Sequence, residues 1–174
     1  FGVYARRLTL QEKDLESGET RMELLPAGSE ILVNQERSGD QMRPVVEFSS
    51  DGNAFIVWED WSTGLSQIKA RSFSNNGLPL CDEFFLAPNK ESLQTLPAIA
   101  PLAQDQFAAV WATSEPESGI PQGLQSCLSS LKSPVGEITR VDDQEEAGLE
   151  PAIASNGKDR FAIAWMSQAE GFGY

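Results

Sequence analysis

Histidine is absent from all 174 residues. Within this chain that excludes Ser-His-Asp and Cys-His catalysis, His-ligated zinc and imidazole proton relays. Cysteine is scarce. Cys81 and Cys127 stand far apart, in no CxxC or metal-spaced set, and one disulfide or two free thiols are equally open. Basic residues are half as numerous as acidic ones, 13 Lys+Arg against 26 Asp+Glu, for a formal net charge of −13. Nucleic acid and anionic membranes attract Lys and Arg patches, so both are disfavoured as partners. A surface or secreted protein, a cation binder or the partner of a basic surface fits that charge. No apolar run approaches the roughly 18 residues of a membrane helix, and no charged-then-apolar signal peptide opens the chain. The chain opens at Phe1 rather than Met, which implies processing or a longer parent.

What is present is self-similarity. Pro44-Val45-Val46 recurs as Pro97-Ala98-Ile99 and Pro151-Ala152-Ile153, at a period of about 53 residues. Ala54-Phe55-Ile56-Val57-Trp58 recurs as Phe107-Ala108-Ala109-Val110-Trp111 and Phe161-Ala162-Ile163-Ala164-Trp165. After each Trp comes a further strand pair, as in Ile68 to Phe73, the turn Asn75-Asn76-Gly77, then Glu83 to Leu86. Gly123 to Leu128 with Pro134 to Ile138 is the second copy of that pair. Val3 to Leu8 with Pro26 to Val33 is a copy that precedes the first Pro-Val-Val. This last copy carries an insertion from Thr9 to Arg21, whose Leu10 to Leu15 stretch is the longest helix-like run in the chain.

Each unit therefore reads as four short strands, a to d. Strands a and b are apolar on both faces, the mark of strands buried from both sides. Bulk trades between copies: Ala54 precedes Phe55, whereas Phe107 precedes Ala108. Face-to-face stacking requires that trade to hold packing density. The fold class expected is all-β: β-propeller blades, three four-stranded repeats of about 53 residues. A tandem β-sandwich array is disfavoured, because its period is nearer 90 to 100 residues. Residues 1–35 form a half-blade (strands c and d), 36–89 and 90–144 intact blades, and 145–174 a second half-blade (strands a and b). Three blades are too few for a ring, since propellers use at least four. The expectation is a partial propeller in a longer tandem chain, or a subunit of a larger ring, two copies making six blades.

Val57-Trp58-Glu59-Asp60-Trp61, followed by Ile68-Lys69-Ala70-Arg71-Ser72-Phe73 and Gly77-Leu78-Pro79, resembles the propeller-type repeats of bacterial secreted and cell-surface proteins. Those carry a strand ending in Val-Trp, an acidic loop, a strand Ile-x-Ala-x-x-Phe and a turn ending in Gly-x-Pro. Val3 to Leu8 matches the same strand, while Gln122 to Leu128 departs from it. The resemblance implies an extracellular or cell-surface setting and a scaffold or binding role, and it carries no catalytic residues.

In such a blade the b–c and d–a loops share one end. They hold Glu59, Asp60, Glu115, Glu117 and Glu170, and Glu36, Asp40, Glu91, Asp142, Asp143, Glu145 and Glu146, with Arg37 and Lys90 the chief cations. The candidate ligand-binding residues are Trp61, Glu59, Asp60, Asp142 and Asp143. Trp61 stands outside the repeat register, and an aromatic in an acidic loop suits protein or sugar contact. The carboxylates suit a basic partner or calcium, a hard cation that wants several oxygens, although no Asp-x-Asp-x-Asp-Gly loop occurs. Otherwise no cofactor is expected. Asp142-Asp143 and Glu145-Glu146 could do acid–base chemistry only in a cleft that raises one pKa. Ser49-Ser50-Asp51-Gly52 resembles a neuraminidase Asp box, but its Trp is misplaced.

The expected function is thus non-enzymatic: a module presenting an acidic loop face to a protein or glycan, with no nucleic acid and no membrane insertion. Self-association or parent-chain segments would complete the half-blades. The alternatives are a fragment of a propeller-fold glycoside hydrolase and a self-assembling structural subunit. A hydrolase would need carboxylates on strand a, where Glu47 stands alone among Val45, Val46, Ala98, Ile99, Ala152 and Ile153.

Overall fold

The computed structural model describes residues 1–142 and 147–167. These residues are all β, in antiparallel sheets without helices. One four-stranded meander runs β5 (Gln41–Phe48), β6 (Ala54–Asp60), β7 (Gln67–Phe73) and β8 (Phe84–Phe85). A second repeats the order with β9 (Leu93–Pro101), β10 (Gln106–Ser114), β11 (Pro121–Ser130) and β12 (Pro134–Arg140). Two-stranded sheets flank them. Before the first lie β1 (Tyr4–Ala5) with β4 (Ile31–Leu32), and β2 (Leu8–Asp14) with β3 (Thr20–Pro26). After the second lie β13 (Gly148–Ser155) with β14 (Phe161–Ser167). Among the described residues no sheet closes on itself.

The insertion is not helical. Leu8 to Asp14 pairs residue for residue with Thr20 to Pro26 as a long hairpin. Its helix-like run is short, and Leu10, Met22 and Leu24 stay exposed, so no buried face supports a lone turn of helix.

The sheets stack face to face. Alternation sends Phe55 and Val57 of β6 toward the second meander, into one core with Ile99, Phe107 and Trp111. Ile56 and Trp58 point the other way, into a core with Val3, Val33 and Phe73. Phe55 and Phe107 stack with ring centroids 4.6 Å apart and planes 19° from parallel. The bulk that β6 directs forward thus meets the bulk that β10 directs back. Cys127 lies in this core as a free thiol, and half-buried Cys81 is free as well. Burial pushes the Cys127 thiol up to about 12.

The tryptophans do not share one environment. Trp58 and Trp111 are fully buried, whereas Trp165 is 41% exposed. Strand c explains the difference. Trp58 sits beside Lys69 of β7 and Trp111 beside Gln125 of β11. Among the described residues β14 pairs only with β13, so Trp165 has no cover on that flank.

Each strand a bends at the residue before its proline. Arg43, Leu96 and Glu150 have φ of 49°, 55° and 48°, and the pairing register of all three sheets shifts there. A proline in a strand belongs on an edge or at a bulge, and strand a offers both. The period seen in the sequence is therefore also a period of backbone geometry.

Candidate functional site

Antiparallel meandering brings the start of a, the end of b, the start of c and the end of d to one end of each sheet. A polar joint recurs there three times. Val33, Leu86 and Val141, ending strand d, donate backbone N–H to the carbonyls of Val3, Ile68 and Leu124 at 2.8, 2.9 and 3.0 Å. The first amides of strand c then need acceptors. Val3 donates to Asn34 Oδ1 at 2.8 Å and Leu124 to Asp142 Oδ1 at 3.0 Å. In the intervening copy Ala87 stands where Asn34 and Asp142 stand, and Gln94 of β9 replaces it. Ile68 donates to Gln94 Oε1 at 3.0 Å, while Gln94 Nε2 donates to the Ala87 carbonyl at 2.7 Å. A short side chain from strand d or a longer one from the next strand a reaches the same amide.

Asp142 is therefore a buried structural carboxylate rather than the exposed loop residue expected. It takes a second N–H, from Gly148, at 2.5 Å and lies 3.1 Å from Arg140 Nε. Gly123 makes room for it. At φ +118°, a Cβ on Gly123 would lie 2.6 Å from both Asp142 carboxylate oxygens. Asp143, Glu145, Glu146 and Glu170 lie outside the described residues.

Glu59 and Asp60 were likewise expected on an exposed loop; they are the last residues of β6 and are fully buried. Each is buried beside a cation, on opposite faces of the strand. The bulge turns Arg43 onto Glu59, with Nη1 at 3.0 and 2.9 Å from the two oxygens. Glu59 also accepts the N–H of Leu96, the bulge residue of the next sheet, at 2.8 Å. Asp60 accepts from Ser62 N at 3.1 Å and from the Ser62 hydroxyl. Its other oxygen is 3.3 Å from Lys69 Nζ. Lys69, itself buried, reaches Glu83 at 2.8 Å and lies over the Phe85 ring, 5.0 Å from its centroid. Glu83 in turn accepts the N–H groups of Gln35 at 2.7 Å and Glu36 at 3.2 Å. Asp60, Lys69 and Glu83 thus form one chain of charge that pins the loop before β5 to the second half of its own sheet. Nothing in the sequence beyond Lys69's place in strand c marked it.

Trp61 is half-buried, and its indole N–H is enclosed without a hydrogen-bond partner. Its backbone N–H donates to the Asp40 carbonyl at 2.9 Å. Its own carbonyl lies against Gly39, whose φ is +66° and where a Cβ would come within 2.6 Å. Trp61 is therefore closed down over the rim rather than projected from it.

Of the acids expected at this end, Glu36, Asp40, Glu91, Glu115 and Glu117 are exposed. Asp40 holds the Phe1 ammonium at 2.9 Å. The Ser38 backbone N–H, the Ser38 hydroxyl and the Arg37 N–H converge on Glu36 and lower its carboxyl from 4.5 to about 2. Among the described residues no three His, Cys, Asp or Glu side chains are arranged to hold a metal ion, so the calcium expectation finds no site there. No helix of the described residues is long and apolar enough to cross a membrane.

No protein-family model matches this chain, and no curated protein matches it. Among solved structures it is similar to an endo-arabinase from Bacteroides thetaiotaomicron VPI-5482, at 12% identity and a TM-score of 0.46. The alignment covers 92% of this chain, which spans 66% of that protein's length.

Proposed function

We propose that the stacked meanders are blades of a β-propeller, and that the chain is a non-enzymatic module of an extracellular or cell-surface protein. Its acidic rim receives a basic protein surface. The observation that carries this reading is the recurring joint, which gathers the b–c and d–a loops at one end of both meanders and of the β1–β4 pair and leaves Glu36, Asp40, Glu91, Glu115 and Glu117 in solvent. Counting the buried charges as well, Glu36, Asp40, Glu59, Asp60, Glu83, Glu91, Glu115, Glu117 and Asp142 stand there against Arg37, Arg43, Lys69, Lys90, Arg140 and the Phe1 ammonium, so the rim is negative on balance and attracts positive charge over about a Debye length.

The fate of the other carboxylates supports a binding role over a hydrolytic one. Glycoside hydrolysis needs two carboxyl groups facing a substrate. Glu59, Asp60 and Asp142 face Arg43, Lys69, Arg140 and backbone N–H groups instead. The test is titration of the chain with a lysine-rich peptide at rising salt, beside an assay for reducing ends released from polysaccharides. Saltable binding that weakens in E91Q/E115Q/E117Q, with no release of reducing ends, is the expected result. Binding indifferent to salt and to these substitutions would overturn the acidic-rim reading, and sugar release would overturn the non-enzymatic one.

A further inference from the structure

Two asparagines in this chain precede a glycine, Asn76 before Gly77 and Asn156 before Gly157. Such a pair carries its own electrophile and nucleophile. The glycine nitrogen can attack the asparagine side-chain carbonyl carbon, and the lack of a Cβ leaves that nitrogen open to approach. Local sequence puts the two pairs on equal terms, and so does the backbone. Both asparagines are exposed, and Gly77 and Gly157 have φ of +80° and +70°. Nothing lies within 4 Å of where a Cβ would stand on either glycine.

The side chains separate them. Asn156 lies in the turn between β13 and β14, and its Oδ1 accepts the N–H groups of Lys158, Asp159 and Arg160 at 2.9, 3.1 and 3.2 Å. Its Nδ2 donates to Asp159 Oδ1 at 3.1 Å. The turn is also pinned to the neighbouring sheet, where Ala103 donates its N–H to the Lys158 carbonyl at 2.9 Å. Asn76 lies in the turn that follows β7. There Ser74 donates its N–H to the Leu78 carbonyl at 2.7 Å, and Gly77 donates to the Ser74 carbonyl at 2.8 Å. The Asn76 side chain itself makes no hydrogen bond with the described residues. Closing a succinimide ring requires Cγ to swing onto the following nitrogen. Asn76 needs only the Gly77 N–H to leave the Ser74 carbonyl, whereas Asn156 must first give up the bonds that hold its amide.

We propose that Asn76 is a self-modifying site, deamidated by the Gly77 nitrogen, and that Asn156 is protected from the same reaction. The Gly77 nitrogen loses its proton and bonds to Asn76 Cγ. The Cγ–Nδ2 bond breaks, and Nδ2 leaves as ammonia with that proton. One water then opens the ring. Cleavage between Cγ and the Gly77 nitrogen gives aspartate. Cleavage between the residue 76 carbonyl carbon and that nitrogen gives isoaspartate, whose main chain runs through Cβ. Nothing is oxidised or reduced. Either product adds a carboxylate on the residue after Asn75, whose carbonyl accepts from Arg7 Nη1 while Arg7 Nε donates to the Ala27 carbonyl at 3.1 Å. The new charge therefore arises at the turn to which Arg7 ties the base of the β2–β3 hairpin, at the end of the sheet away from the acidic rim.

The test is incubation of the purified chain at mildly alkaline pH in water enriched in heavy oxygen, folded and in urea side by side. Peptide mapping by mass spectrometry reads each site, because the new carboxyl group carries the label. In urea the two pairs should convert at similar rates. In the folded chain Asn76 should convert at least about tenfold faster than Asn156, the factor that breaking several hydrogen bonds imposes. N76Q should abolish labelling at its turn and leave the rate at Asn156 unchanged. Equal rates at both sites in the folded chain overturn the inference. So does a folded chain in which Asn76 stays unlabelled while urea labels it. A preference for Asn76 that is the same in urea overturns it too, because the difference would then lie in local sequence.

Discussion

Replacing Lys69 with methionine isolates what the buried charge chain contributes. The two side chains are similar in length, so packing is nearly preserved while the cation disappears. Lys69 is 6% exposed in its side chain, with Asp60 at 0% and Glu83 at 11%. At an effective dielectric of about 20, Coulomb's law gives about 5 kcal/mol for the 3.3 Å contact and about 6 kcal/mol for the 2.8 Å contact. Burying Lys69 offsets much of that sum, because its ammonium gives up hydration. The substitution removes that cost too but strands two carboxylates, and breaking a buried pair in this manner costs about 3–5 kcal/mol. For a chain of this length each kcal/mol is worth about 2–4 °C in Tm, so K69M should melt roughly 6–20 °C below the parent. Differential scanning calorimetry reads this directly. A triple variant, K69M/D60N/E83Q, leaves no charge to strand and should recover most of the loss. If K69M shifts Tm by less than about 3 °C, the charge chain contributes little. If the triple variant is no better than K69M, the loss came from packing and the electrostatic argument is refuted.

Truncating the register tryptophans should separate the covered positions from the open one. W58A and W111A should each cost about 3–5 kcal/mol in chemical denaturation, and W165A no more than about half as much; equal losses at all three would contradict the difference in cover. Glu36 should titrate by NMR near 2, with the Ser38 amide shift following it. Its folded value lies below the ordinary 4.5, so the turn it caps is stabilised in full above about 4.5 and loses that support as pH falls toward 2. A midpoint near 4.5 would mean the three donors do not hold the carboxylate in solution.

The all-β class, the period and the positions of the strands outside the Thr9 to Arg21 insertion were legible in the sequence because they depend on local pattern. Two-sided apolar runs such as Phe55-Ile56-Val57-Trp58 and turn dipeptides such as Asn76-Gly77 act over a few residues, and a tandem repeat states the same local pattern several times. The proline of each strand a was visible too, though not the left-handed residue before it. The fate of the charges was not legible. Glu59 and Asp60 look like loop acids because a window of sequence shows an acidic stretch next to a turn. Whether a carboxylate faces water or a cation depends on Arg43 and Lys69, brought beside it across strands. Lys69 has Asp60 and Glu83 as partners only because the meander folds three segments onto one end. The exposure of Trp165 and Val46 was hidden for the same reason. Their sequence neighbours match those of Trp58 and Ile99, so local pattern cannot distinguish them. Burial is a property of what stacks on a face, and only the three-dimensional order of the sheets decides that.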